Sequence, residues 1–166
     1  MASFDTACVR VFVKTYGRRL WRRPLTDIEV DRLVDVGESA ASTLGDPWDG
    51  LEFTIAAMLQ SPHFLFRIED EGTIGGRPLT DWEMASRLSF FIWNTTPDDG
   101  LLDAAERGEL TDPSTLGEHV RRMLEDQRAR QGVRAFFTDL YELDRLDDLS
   151  KAPELFPHIS EEVGPS

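Results

Sequence analysis

A helix-opening signal recurs along this chain and leaves room for little besides a helical fold. Thr26 followed by Glu29, and Thr80 followed by Glu83, are capping boxes: the hydroxyl takes an early N–H of the helix and the carboxylate returns to the cap's own N–H. Asp46-Pro47, Ser61-Pro62, Thr96-Pro97 and Asp112-Pro113 each place a capping side chain ahead of a proline, which at the first helical position loses no amide hydrogen the helix needs. No segment sustains period-two alternation, and no Asn-Gly or Asp-Gly pair stands between β-branched runs. The pattern predicts an all-α fold, an irregular bundle of about seven to eight amphipathic helices.

Between these starts the apolar residues fall at helical intervals. Val9, Phe12, Val13, Tyr16 and Leu20 predict a helix over about 5–20, broken at Arg23-Pro24. The second runs from Thr26 to about Leu44 and stops at Gly45. The third, from Asp46-Pro47, turns Leu51, Ile55, Met58 and Leu59 inward. The segment from Trp82 to about Trp93 is apolar nearly all round and reads as a central, buried helix, although Phe90-Phe91-Ile92-Trp93 taken alone has strand character. Leu101, Leu102 and Ala105 mark a short helix after Thr96-Pro97, and Leu116, Val120 and Met123 another after Asp112-Pro113. Val133, Phe136, Phe137 and Leu140 mark a helix from about Gln127 to Tyr141, and Ser160-Glu161-Glu162 reads as one more start. Gly72, Gly75, Gly76 and Pro78 predict a linker over 70–79. It divides an N-terminal three-helix unit, 1–69, from a C-terminal helical unit, 80–166, that is incomplete at its end. Across the linker Arg23-Pro24-Leu25-Thr26-Asp27-Ile28-Glu29 returns as Arg77-Pro78-Leu79-Thr80-Asp81-Trp82-Glu83, alike at six of seven positions. The echo reads either as a duplicated helical unit or as convergence on good helix-start chemistry.

Charge narrows the partners. The 166 residues carry 18 Lys plus Arg against 31 Asp plus Glu, a net charge of −13, with 40% hydrophobic residues. That is apolar enough to build a core and too acidic for nucleic acid to be the main partner. Yet the stretch from Arg10 to Arg23 holds six basic residues and no acidic one, while the chain from Asp139 onward holds eight acidic residues against Arg145 and Lys151. The basic helix either docks on acidic surface of the same chain or presents a patch to an anionic partner. No apolar run reaches the roughly 18 residues of a membrane span, so no transmembrane segment is expected. The N-terminus, interrupted by Asp5 with its basic residues after the apolar ones, does not read as a signal peptide. The single Cys8 excludes an internal disulfide framework and a Cys-rich zinc site, and no CxxCH haem-attachment motif is present.

Four motifs in order carry a resemblance: Arg22-Arg23-Pro24-Leu25-Thr26-Asp27; Ser61-Pro62-His63-Phe64-Leu65-Phe66-Arg67-Ile68-Glu69; Ala85-Ser86-Arg87-Leu88-Ser89-Phe90-Phe91-Ile92-Trp93; and Pro97-Asp98-Asp99. Together they resemble the planctomycete-type, cytochrome-associated multidomain proteins built from domains of unknown function numbered in the fifteen-eighties and fifteen-nineties. The chain is similar to the end of one such domain, to about Glu69, and the start of the next, from about Leu79. The resemblance implies an exported, periplasmic setting, and haem held in other domains of a parent protein rather than in this chain. It also implies partners among sister domains or haem domains of that parent. The chain departs from the family in lacking a haem-attachment motif, in carrying Gly100 where an acidic residue is usual, and in ending near Phe156-Pro157 where the family continues. It therefore reads as a C-terminally truncated piece.

The candidate side chains are few. His63, flanked by Phe64, Leu65 and Phe66, suits a metal or haem ligand, a buried polar cluster with Arg67 or Glu69, or a core histidine satisfied locally. Arg87 lies in the most apolar helix and needs a partner if buried; Glu83, Glu69 and Asp98 are the candidates. Arg67, Glu69, Glu83 and Arg87 together form the expected structural polar cluster. His119 reads as an ordinary surface residue, and Cys8 as a small residue at a helix start. No histidine pair has metal-ligand spacing, and no phosphate loop or GxSxG motif occurs. The leading expectation is a helical structural or interaction module rather than an enzyme in its own right. The rival is an oxidoreductase or other enzyme fragment using His63, Arg67 and Arg87 with residues beyond this chain. A weaker third is carbohydrate binding through Trp21 and Trp48.

Overall fold

The computed structural model describes residues 3–69 and 77–146. Residues 70–76 of the expected linker and the tail from 147, with His158 and Ser160-Glu161-Glu162, lie outside the described residues. Among the described residues there are eight α-helices and no strand: α1 (Thr6–Trp21), α2 (Asp27–Leu44), α3 (Pro47–Gln60), α4 (Pro62–Leu65), α5 (Asp81–Trp93), α6 (Asp99–Glu106), α7 (Pro113–Glu125) and α8 (Gln127–Tyr141), followed by a 3-10 turn over Leu143–Leu146. The all-α architecture stands, and the Phe90–Trp93 run is helical. No helix among the described residues is long and apolar enough to cross a membrane.

Each helix is opened by a side chain at its cap. Asp5 accepts the Ala7 and Cys8 N–H groups. Thr26 and Thr80 complete both capping boxes, and Asp46, Ser61 and Asp112 cap ahead of their prolines. One start moves. Helix α6 opens on Asp98 rather than at Thr96-Pro97, because the Asp98 carboxylate accepts the Leu101 N–H at 2.9 Å and leaves Pro97 ahead of the cap. A single residue, Asp126, ends α7 and caps α8.

The helices enclose two cores. Helices α1–α4 surround Val13, Trp21, Val30, Leu33 and Met58, and α5–α8 surround Ala85, Trp93, Leu101, Leu110 and Met123. Each core pins a buried indole on a methionine carbonyl: Trp21 Nε1 donates to Met58 at 3.1 Å, and Trp93 Nε1 donates to Met123 at 2.9 Å. A buried indole N–H needs such an acceptor. Glycine sets the closest helix approaches. A Cβ on Gly50 of α3 would stand 2.6 Å from the Gly37 carbonyl of α2, and one on Gly132 of α8 would stand 2.2 Å from the Ile92 carbonyl of α5.

An ion-pair seam joins the two halves. Arg18 donates to Asp103 at 2.7 Å and to Glu106 at 3.0 Å, and Arg19 holds Asp99 at 2.9 and 2.6 Å. The Arg18 guanidinium also lies over the Trp82 ring, 5.7 Å from its centroid. The basic N-terminal helix thus docks on acidic surface of its own chain, which is the first of its two readings.

Two burial expectations are overturned. Helix α5 is not enclosed: Ala85, Ser89, Ile92 and Trp93 are buried, but Phe91 is 83% exposed. Helices α6, α7 and α8 contact α5, and none of the described residues covers Phe91. Leu59, expected inward on α3, is likewise exposed.

Candidate functional site

The echoed motif folds into the same clasp twice. Arg23 donates through Nη1 to the Pro24 carbonyl and to Glu29 Oε2, at 2.9 and 3.0 Å, and through Nη2 to Glu29 Oε1 at 2.7 Å. Glu29 Oε2 meanwhile accepts the Thr26 N–H at 2.8 Å. In the second copy Arg77 makes the same bonds to Pro78 and Glu83, at 3.0, 2.8 and 2.6 Å, and Glu83 accepts the Thr80 N–H at 2.8 Å. The Glu side chain that closes the capping box is therefore itself held by an arginine six residues earlier. These bonds, from Arg23 above all, bring the Glu29 carboxyl down to about 2. Glu83 belongs to this clasp and not to a pair with Arg87.

His63 is bound into the first clasp. Its Nε2 is 3.1 Å from Arg23 Nη2. A guanidinium only donates, so Nε2 accepts and the ring is the neutral tautomer protonated at Nδ1. Burial, then the neighbouring Arg23, push the imidazole pKa below its ordinary value, against the pull of Glu29 at 3.7 Å. The ring tilts over Trp21 with centroids 5.0 Å apart. The lone pair that a metal or haem iron would take is engaged. The adjoining cleft, walled by Trp21, Arg23, Thr80, Trp82 and Ser86, measures about 230 Å³, below the roughly 300 Å³ at which small-molecule sites begin. In this geometry the Nε2 of His63 is satisfied locally by Arg23.

Arg67, Glu69 and Arg87 gather at a different opening. Arg87 pairs with Glu69, its Nε 3.0 Å from Oε1 and its Nη2 in contact with Oε2. Of the three candidate partners the fold selects Glu69, since Asp98 is taken by Arg122 at 2.8 Å and by Arg128 at 3.2 Å. Burial opposes ionisation of Asp98, but hydrogen bonds from Arg122, the Leu101 N–H and Arg128 hold its carboxyl below the usual range. Arg87 is exposed rather than buried, being on the rim of α5. Beyond these three side chains runs an apolar groove of about 970 Å³ between α5 and α8, lined by Phe90, Phe91, Val133, Phe136 and Phe137. His63 is not part of its lining, so the enzyme arrangement of His63, Arg67 and Arg87 does not converge on one opening.

The remaining candidates separate. Trp21 is buried while Trp48 is 73% exposed, so the two do not form one aromatic platform. His119 is mostly covered and stands 3.5 Å from Glu109, contrary to its surface reading. Cys8 is exposed. No group of three or more metal-ligating side chains gathers among the described residues. The residue that sequence reasoning missed is Arg22. It ends α1 in the left-handed region at φ 58° and is only 6% exposed. Its guanidinium donates to the carbonyls of Leu20, His63, Phe64 and Phe66, at 3.1, 2.6, 3.4 and 2.7 Å. It thereby closes the end of α4, where helix carbonyls lack partners and carry partial negative charge. Its one visible signal was its place beside Arg23 at the break after α1.

Residues 79–166, more than half of the chain, match the family described as Protein of unknown function (DUF1592), and residues 8–69 match a second one, Protein of unknown function (DUF1595). The chain belongs to the first of these families. Both carry numbers in the fifteen-nineties, and the two matched segments meet across the residues expected as a linker. No curated protein and no solved structure matches the chain.

Proposed function

We propose that this chain is a helical interaction module of a larger exported protein, and that the groove between α5 and α8 receives an amphipathic helix with acidic flanks from a sister domain. The carrying observation is the apolar stripe. Phe91 of α5, Leu124 at the end of α7, and Val133, Phe136, Leu140 and Tyr141 of α8 all stand exposed. A contiguous apolar face of this kind is a docking surface or an aggregation liability. Charge indicates the occupant. In an acidic chain α8 is basic, and Arg130 and Arg134 make no ion pair among the described residues. They are one turn apart and Arg134 is three residues from Phe137, so both border the stripe. An acidic helix would meet complementary charge along that edge. The exported setting and the haem-bearing neighbours rest on the family resemblance.

A photo-crosslinking residue at Phe91 in the native gene product tests this reading, with the exposed Ile28 of α2 as the control position. Adducts from position 91, absent from position 28, should map to an acidic amphipathic helix of a sister domain. Adducts no different from the control would overturn the proposal, as would adducts joining the grooves of two copies of this chain. Adducts to a haem-bearing domain would likewise overturn the choice of occupant.

A further inference from the structure

Two arginines from the N-terminal half meet the end of α5 without a carboxylate between them. Arg22 and Arg67 have their guanidinium carbons 5.8 and 5.0 Å from the centroid of one ring, that of Phe90. The four carbonyls around Arg22 supply partial charges but no counter-ion. Neither arginine makes an ion pair with an acidic side chain among the described residues, although the sequence holds 31 acidic residues. Both cations line a cleft of about 510 Å³ with Phe64, Asn94, Thr95 and Thr96, and no acidic residue contributes to that lining. Burial, then repulsion from Arg67, push the Arg22 pKa below its ordinary value. Keeping two like charges together, one of them nearly buried, costs folding free energy unless an anion joins them. The cleft also lies where the two family-matched segments meet, with Arg22, Phe64 and Arg67 from the first and Phe90, Asn94, Thr95 and Thr96 from the second. Ligand sites favour such junctions.

We infer that this cleft binds a carboxylate or phosphate group borne on an apolar body, with Arg67 pairing the anion, Arg22 supplying fixed positive potential, and Asn94, Thr95 and Thr96 offering neutral donors. Guanidinium geometry suits either oxyanion. The apolar body follows from continuity: Arg67, Phe90 and Asn94 also line the α5–α8 groove, so an anion seated on Arg67 has that groove beside it. The inference concerns a small ligand on the chain by itself; a helix docked on the groove would compete for the space beside Arg67, so the anion site is tested without a partner present.

The test titrates the whole chain with hexanoate, hexanol and inorganic phosphate, each to ~10 mM, a range that captures weak single-site binding. It follows the Nε–Hε resonances of Arg22 and Arg67. Hexanoate should shift both signals saturably and bind at least tenfold more tightly than hexanol. Arg67→Gln, at an exposed position that leaves the buried Arg22 cap intact, should remove that preference, and Arg67→Lys should restore part of it. Saturable binding by phosphate that matches hexanoate and is lost in Arg67→Gln supports the anion site and assigns the ligand to the phosphate class. Equal binding of hexanoate and hexanol would overturn the inference, because the groove alone would then account for it. So would the absence of saturable shifts with any probe, or binding unchanged in Arg67→Gln.

Discussion

Arg23 holds Glu29 by two hydrogen bonds, at 2.7 and 3.0 Å, while the same carboxylate accepts the backbone N–H of Thr26. Three functions therefore share one side chain: ion pairing, capping of α2, and indirect support of His63 through Arg23. The arrangement converts a local start signal into a contact between α2 and the segment around α4.

Acid should dissolve this clasp. The folded-state carboxyl of Glu29 titrates near 2, against 4.5 for the free group. The depressed value means the unfolded chain binds the proton more readily. The stabilisation is complete above about pH 4.5 and is lost as pH falls from there towards 2. Its size is on the order of 2 to 3 kcal/mol for a carboxylate this well covered. Urea unfolding midpoints measured from pH 6 down to about pH 3 should fall, and Glu29→Gln should flatten the slope by that contribution. An unchanged slope in the variant would show that the clasp carries no linkage.

His63 should stay neutral at physiological pH and hold its proton on Nδ1. Nitrogen-resolved NMR reads both the tautomer and the pKa. Burial depresses that pKa most, Arg23 depresses it further and Glu29 raises it, so Arg23→Gln should move the titration upward, towards the ordinary histidine value, with burial still holding it below. A downward movement, or protonation at Nε2 in the parent chain, would contradict the assigned hydrogen bond.

Glycine-to-alanine exchanges at two helical sites should differ in sign. At Gly132 the new Cβ would meet backbone, with Ile92 O at 2.2 Å and Ile92 C at 2.9 Å, so α5 and α8 must separate. The expected loss is on the order of 2 to 3 kcal/mol. At Gly117 on α7 the nearest atom is the far end of Arg121, 3.9 Å away. Alanine there should be neutral or stabilise by up to about 1 kcal/mol through helix propensity. Chemical unfolding of both variants separates close approach from propensity.

The seam between α1 and α6 should be sensitive to salt. Arg18 is largely covered and touches Asp103, Glu106 and the Trp82 ring. Arg18→Ala should cost about 1 kcal/mol, more than an exposed single pair because cation–π packing is lost with it. Raising ionic strength from about 0.05 to 0.5 M should lower the parent's melting temperature by more than the variant's. Equal salt responses would remove the seam as a determinant of stability.

Much of the framework was legible because helix starts are local chemistry. Thr26, Asp46, Ser61, Thr80 and Asp112 act within three residues of themselves, and all cap the helices they were expected to cap. The start expected at Thr96-Pro97 lies two residues early, because only the reach of the Asp98 carboxylate to Leu101 fixes where α6 opens. The exposure of Phe91 was illegible for a different reason: an apolar helix states that a face wants cover, not whether the chain supplies it. The polar cluster resolved into separate parts, Glu83 with Arg77 and Glu69 with Arg87, because the clasp spans six positions and matches no helical spacing. The recurrence of arginine at the head of both motif copies was the available signal. Arg22 left almost none, since its acceptors are carbonyls brought near by tertiary packing.

The seam has a consequence for inheritance. Its cations belong to the first matched segment and its carboxylates to the second. Either segment transferred alone into a foreign context would arrive with one sign of charge unbalanced. Asp99, Asp103 and Glu106 would repel an acidic neighbour and would find no counter-charge on a neutral one. Shuffling between paralogues is therefore restrained to exchanges that move both segments or preserve the polarity on each side, and the two have electrostatic cause to travel as a pair.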